Sequence, residues 1–428
     1  MKRTLVILII SLMFSCQEEF PPKERLSINE AAEKYIILCH KLGLKDKDYV
    51  DAYFGPDSLK KEAIQDSLPL RQIKVESISL QRFLDTTDFT SNDEKFRARF
   101  MSKMLIAMQA RINNLIGHEL SFEEEADRIF NTTAPKYSTE DFQSAIEELN
   151  KILPGNGDLN ERYNDFKNQF IIPSELVDTV FKTALKESRK RTLNFIELPK
   201  NETFTLEYVT GKSWSGYNWY QGNAESLVQI NLDQPVFIDR AIDLASHEAY
   251  PGHHTFHTTM ESKLVKEKGW VEFTIYPLFS PLSLISEGHA NYGIEMAFPG
   301  EEKINYEKEI LFPLAGLDPQ KADKYYQVQK IVSKLNFSGN EAARNYLNGD
   351  FSREEAIEYL MMYNMMTKSR AEQRMSFIDQ YRAYVINYNV GLEKVRNWVE
   401  NNSNSEKERW DNYVKIMEEA MLAGDLEE

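Results

Sequence analysis

A proline and a glycine stand where a zinc-binding helix would need its second histidine. The run reads Ser246-His247-Glu248-Ala249-Tyr250-Pro251-Gly252-His253-His254, with His257 shortly after. The residues leading into it, from Ile238 to about Tyr250, place apolar side chains at helical spacing. Proline lacks the N–H that a helix interior needs, and glycine accepts backbone angles other residues avoid. Pro251-Gly252 must therefore interrupt the helix that carries His247. Five of the seven histidines of this 428-residue chain lie between positions 247 and 289, so the break decides which of them can meet.

Zinc takes ligands from His, Cys, Asp and Glu and keeps one position open in catalytic sites. Its familiar helical motif is His-Glu-x-x-His, in which histidines four apart share a face. Here that fourth position is Pro251, and three arrangements stay open. Pro251-Gly252 can bulge, so that His253 takes the missing place. His254, seven residues after His247, has the right azimuth, but a straight helix would set the two Cα atoms roughly 10 Å apart, so a break is again required. Alternatively His253 and His257 form their own pair, with Glu261 four residues on. A further carboxylate, Glu287, lies in an apolar helical stretch from Leu282 to Phe298. A buried charge there is costly without a cation.

The run His247-Glu248-Ala-Tyr-Pro251-Gly252-His253-His254 resembles the His-Glu-x-x-Pro-Gly-His-His signature of a bacterial family catalogued as domain of unknown function 885, which is placed with the zincin-like metallopeptidases. The family's second motif, Glu-Gly-x-Ala-x-Tyr, is matched by Glu287-Gly288-His289-Ala290-Asn291-Tyr292, although the family often has Trp where His289 stands. The resemblance covers roughly residues 200–395, and the N-terminal half fits only loosely. It implies a zinc ion, Zn2+, held by His247, His253 and Glu287. Glu248 would be the general base that takes a proton from the attacking water and passes it to the leaving amine of a peptide substrate. His254 would contact the substrate or the developing oxyanion, with an exchange of roles between His253 and His254 left open. Tyr388 and Arg382 are further candidates to stabilise a tetrahedral intermediate. They lie in Arg382-Ala-Tyr384-Val-Ile-Asn-Tyr388-Asn-Val-Gly391, where the family shows Pro-Gly-Gln-Ala-x-x-Tyr-Lys-x-Gly. Tyr and Gly survive in this chain and Pro-Gly-Gln does not. That departure motivates an alternative, an exported lipoprotein that keeps the fold as a non-catalytic peptide-binding or scaffold module.

Around this core the chain reads as mainly α with a small β-sheet, in a zincin-like arrangement of two lobes flanking an active-site cleft. Lys2 and Arg3, the apolar run Thr4 to Phe14 and Ser15-Cys16 resemble a bacterial lipoprotein signal over 1–15. The expectation is export, with lipidated Cys16 anchoring the chain to a membrane at a periplasmic or outer-membrane face. A tether follows over 16–26. Cys39 would then be left alone, so no internal disulfide is expected. Residues 27–200 read as a helical lobe, opened by a capping box at Ser27-Ile-Asn-Glu30. Residues 201–428 read as the catalytic region. Alternating stretches at Glu202 to Thr210 and Ser226 to Leu232 read as strands, the second as an edge able to pair with a peptide. The aromatic segment Gly211 to Tyr220 between them reads as a loop. A formal charge of −16 and the lack of any basic stripe exclude a nucleic-acid backbone as partner.

Overall fold

The structure, a computed structural model, describes residues 26–427. The signal sequence and Cys16 lie outside the described residues. The chain is mainly helical with small sheets, and its helices start where their caps require. Ser27 accepts a hydrogen bond from the Glu30 amide at 3.2 Å, while the Glu30 carboxylate accepts from the Ser27 amide at 2.7 Å, opening the helix Ile28–Gly43. Ser91 and Ser352 repeat the device at Asn92–Leu115 and Arg353–Tyr363. The break at Pro154-Gly-Asn-Gly157 separates the helices Thr139–Ile152 and Leu159–Asn168. Among the described residues no helix is long and apolar enough to cross a membrane.

Two sheets form. The strands β1 (Val50–Tyr53) and β5 (Ile275–Pro277) pair antiparallel across more than two hundred residues of sequence. The second sheet contains β2 (Thr203–Val209), β3 (Gly216–Gly222) and β4 (Glu225–Asn231), in the order β2-β4-β3. Here the structure corrects two expectations. The aromatic segment is not all loop: Gly216–Gly222 is a strand, antiparallel to β4. Its bounding glycines and Asn218 look like loop residues in isolation, but Tyr217, Trp219 and Tyr220 satisfy the β preference. As a result β4 is the central strand, with β2 parallel on its other side, and has no free edge to offer a peptide.

A boundary at 200/201 does not divide the core. Ile36, Met104 and Phe122 share one apolar cluster with Leu284, Met375 and Val395. Val180 and Phe181 pack with Ile242 and Leu311 in a second, and Phe142 and Leu149 with Val328 and Met365 in a third. The buried pair Arg97–Glu272, with contacts of 2.6 and 2.9 Å, ties the early helices to the segment before β5. The early helices therefore brace the later ones rather than forming a lobe of their own.

Candidate metal centre

The helix carrying His247 ends at Glu248, and a new helix begins at His253 and runs to Met260. Pro251 and Gly252 turn the chain between them. The Gly252 amide donates to the Ser246 carbonyl at 2.9 Å, and a Cβ at this position would lie 1.9 Å from the His247 carbonyl oxygen. Only glycine lets the chain fold back so tightly beneath His247. The turn brings the His247 and His253 rings to 4.7 Å between centroids, edge to face.

Glu287 meets them from the helix Pro281–Ala297. His247 Nε2 lies 3.2 Å from Glu287 Oε2, and His253 Nε2 lies 3.7 Å from Oε1. One donor atom from each of the three side chains falls within 4.8 Å of the others. Ligands about 2.0–2.1 Å from a tetrahedral zinc ion stand about 3.3–3.5 Å from one another, so the spacing suits such an ion. Glu287 Oε2 is buried and has no hydrogen-bond partner among the described residues. Buried polar atoms are nearly always satisfied, and a cation here would satisfy this one. Burial opposes ionisation of Glu287, yet His253 and His247 outweigh it and hold the carboxyl well below its usual range. Ser286 Oγ, 3.2 Å from His253 Nδ1, fixes that ring from behind. Were Nδ1 to donate its proton to Ser286, Nε2 would be free to ligate a metal ion.

Glu248 closes one side of the same cavity, which encloses about 450 Å³. Strand β3 lies over it. Asn218 Nδ2 donates to the Glu248 carbonyl at 2.7 Å, and a Cβ at Gly216 would meet Glu248 Oε1 at 2.7 Å. Burial pushes the Glu248 carboxyl up, against the pull of His247 and His253.

The remaining expected site residues divide. Tyr388 lines the cavity with its ring 6.4 Å from His247. His254 does not reach it. Its Nδ1 is 2.8 Å from Ser226 Oγ and its Nε2 is 3.2 Å from Glu202 Oε2, fully buried against the sheet. Adjacent helical residues point about 100° apart, so once His253 faces Glu287, His254 must face β4. It cannot touch a substrate, and that expectation is corrected. Arg382 is also turned away. Its Nε donates to Glu125, and its Nη2 donates to the Leu120 carbonyl at 3.0 Å. Arg382 itself has φ 54°, a strained angle for a side-chain-bearing residue. The buried Glu125, which also accepts from the Ala383 amide at 3.1 Å, holds that turn. His289 stacks on Tyr413 at 3.7 Å and lies off the cavity, whereas His257 sits in its wall edge-on to Tyr276.

Several residues of the site went unread. Tyr384, one helical turn before Tyr388, donates its hydroxyl to Glu287 Oε1 at 2.8 Å. The four-residue spacing to Tyr388 was a usable signal. Asp51, on β1, enters the cavity from the N-terminal half and accepts from the Tyr217 hydroxyl. Burial pushes its carboxyl up to about 7, against that hydrogen bond. No local pattern marked Asp51, because only the β1–β5 pairing brings it there.

No family model matches the chain, and no curated protein matches it. Among solved structures, one from Colwellia psychrerythraea described as a "putative lipoprotein" is similar, with a TM-score of 0.51 at 14% identity, covering 86% of this chain and 72% of that one. Another, from Shewanella oneidensis and described as a "putative lipoprotein of unknown function", has a TM-score of 0.40 at 12% identity, covering 86% and 74%. The likeness to the Colwellia protein is one of fold alone.

Proposed function

We propose that this chain is a zinc-dependent metallopeptidase of the zincin-like kind, exported and anchored through a lipidated Cys16. The observation that carries the reading is the convergence of His247, His253 and Glu287 beside Glu248 in one cavity. Bound there, zinc would polarise the scissile carbonyl and lower the pKa of the attacking water. Glu248 takes the proton from that water and hands it to the departing nitrogen, as the peptide C–N bond breaks and the hydroxyl joins the acyl carbon. Tyr388, in the cavity wall near His247, is the donor proposed for the developing oxyanion. Tyr384 keeps Glu287 aimed at the histidines. Buried beneath β3, Glu248 is shielded from bulk water, and this favours a carboxyl poised nearer neutrality.

The test combines metal analysis with Glu248→Gln. Zinc-loaded protein should cleave a mixed peptide pool, and the substitution should abolish cleavage while leaving zinc in place. Unchanged hydrolysis in the variant would sink the assignment of Glu248.

A second reading is favoured by one observation, the description of the similar Colwellia fold as a putative lipoprotein. In it the chain is a lipid-anchored module that binds peptides without turnover. Retention of peptides by the wild-type protein with no cleavage, even after zinc loading, would select this reading.

A further inference from the structure

One wall of the cavity carries charge of the opposite sign to the protein as a whole. The chain has a formal charge of −16, yet Arg240, Arg370 and Arg374 line the space that also holds the triad. Like charges gathered in a half-buried place repel, so they call for an anionic partner. The protein supplies one only for Arg240, through Asp243 and the nearby Glu248. Among the described residues, Arg370 and Arg374 form no salt bridge, and the Arg374 guanidinium rests 5.6 Å from the Phe377 ring. Arg240 reaches only Asp243, at 3.3 Å, and Asp243 is also held by Lys303.

The nearby charges do not cancel the arginines. Asp239 is shared among Lys167, Lys303, Arg240 and Arg370, and Asp243 between Arg240 and Lys303, so neither acid is given over to one arginine. The Glu307 carboxyl, pushed up by burial, lies 4.0 Å from Lys303 and accepts from the Tyr326 hydroxyl, so it is engaged away from the arginines. Among the described residues the Arg370 and Arg374 guanidinium groups are left without a salt-bridge partner, and Arg240 shares Asp243 with Lys303. Burial and the neighbouring arginines bring Arg370 down to about 10, which leaves it cationic at neutral pH and records the crowding.

Position relative to the triad gives the cluster its meaning. Arg240 precedes His247 by seven residues on one helix, so the two share a face about 10 Å apart along the axis. Arg374 borders Tyr388, whose ring faces His247. An extended peptide advances about 3.3–3.6 Å per residue, so the separation of Arg240 from His247 spans about three residues. Arg240 and Arg374 thus border the ground that a bound peptide would cover within about three residues of the triad. Guanidinium groups match the fork of a carboxylate and bind it with paired, charge-assisted hydrogen bonds.

We propose that Arg240, Arg370 and Arg374 form a subsite for the terminal carboxylate of a peptide, so that the enzyme removes a short fragment from the C-terminal end. The inference rests on the metallopeptidase reading.

The experiment uses two pools of random hexapeptides, identical except that one ends in a free carboxylate and the other in an amide. Zinc-loaded protein should trim the carboxylate pool at its C-terminal end at least about tenfold faster than the amide pool. Protein carrying Glu248→Gln should retain the carboxylate pool about tenfold more strongly. Adding Arg374→Gln or Arg370→Gln should erase both preferences at unchanged zinc content. Internal cleavage of both pools at equal rates would overturn the subsite and leave the peptidase reading standing. Preferential retention without cleavage would support the subsite and remove the peptidase reading. Equal retention with no cleavage would overturn both.

Discussion

Gly288 and Gly391 stand backbone against backbone: a Cβ on Gly288 would lie 2.2 Å from the Gly391 carbonyl carbon, and one on Gly391 would lie 2.4 Å from the Leu284 carbonyl oxygen. Gly288 follows the carboxylate of the triad, and Gly391 opens the helix Val390–Asn401. Their contact lets the two helices approach closely. The 3₁₀ segment Arg382–Tyr388 leading into the second helix is thereby laid over Glu287, with Tyr384 and Tyr388 facing the triad.

Gly391→Ala should therefore act at a distance. The added methyl meets backbone rather than a flexible side-chain end, so the cost is that of overpacking, about 1–3 kcal/mol. Urea unfolding should show the loss. Zinc affinity should fall with it, because Tyr384 is carried on the displaced segment. A variant of wild-type stability and affinity would show that the close approach is not required.

Tyr384→Phe removes one hydroxyl and little volume. Glu287 Oε1 loses its donor at 2.8 Å, and the carboxylate is freer to rotate. Hydrogen bonds behind a metal ligand are typically worth 10–100-fold in affinity. Competition with a chelator of known affinity should show zinc held about 10-fold or more less tightly, with the fold intact by circular dichroism. Tyr388→Phe should instead leave affinity nearly unchanged and lower kcat.

Glu202 predicts an acid sensitivity. Burial raises its carboxyl, but hydrogen bonds from His254, Tyr250 and Arg189 outweigh this and bring it down to about 2. A carboxyl depressed on folding contributes stability that is fully present above its unfolded value near 4.5 and is lost as pH falls through 2. Glu202→Gln should cost on the order of 2–3 kcal/mol at neutral pH. The gap to wild type should narrow between pH 4.5 and 2. A gap that does not change with pH would mean that Glu202 acts through packing alone.

The parts of this site that could be read in the chain are those encoded locally. Pro251-Gly252 announces a helix break by its own stereochemistry, and the break is what carries His253 to His247. Ser27-Ile-Asn-Glu30 encodes a helix start in four residues. What could not be read depends on partners distant in sequence. Asp51 reaches the cavity only because β1 finds β5, and Arg370 and Arg374 reach it only because the Lys368–Tyr381 helix packs beside it. The two misplaced residues failed for a related reason. His254 and Arg382 carry suitable chemistry, but each is claimed by a buried carboxylate, Glu202 and Glu125, that no local pattern pairs with it. Strand β3 was hidden by glycines whose task is clearance, since Gly216 leaves room for the Glu248 carboxylate.

The most direct measurement is the zinc content, by elemental mass spectrometry, of wild-type and His253→Ala protein after zinc loading and exhaustive dialysis. A single zinc is expected per wild-type chain and almost none in His253→Ala, with both proteins folded by circular dichroism. A wild-type chain that keeps no zinc, or a His253→Ala chain that holds it as tightly as wild type, would contradict the assignment of His247, His253 and Glu287 as a metal centre.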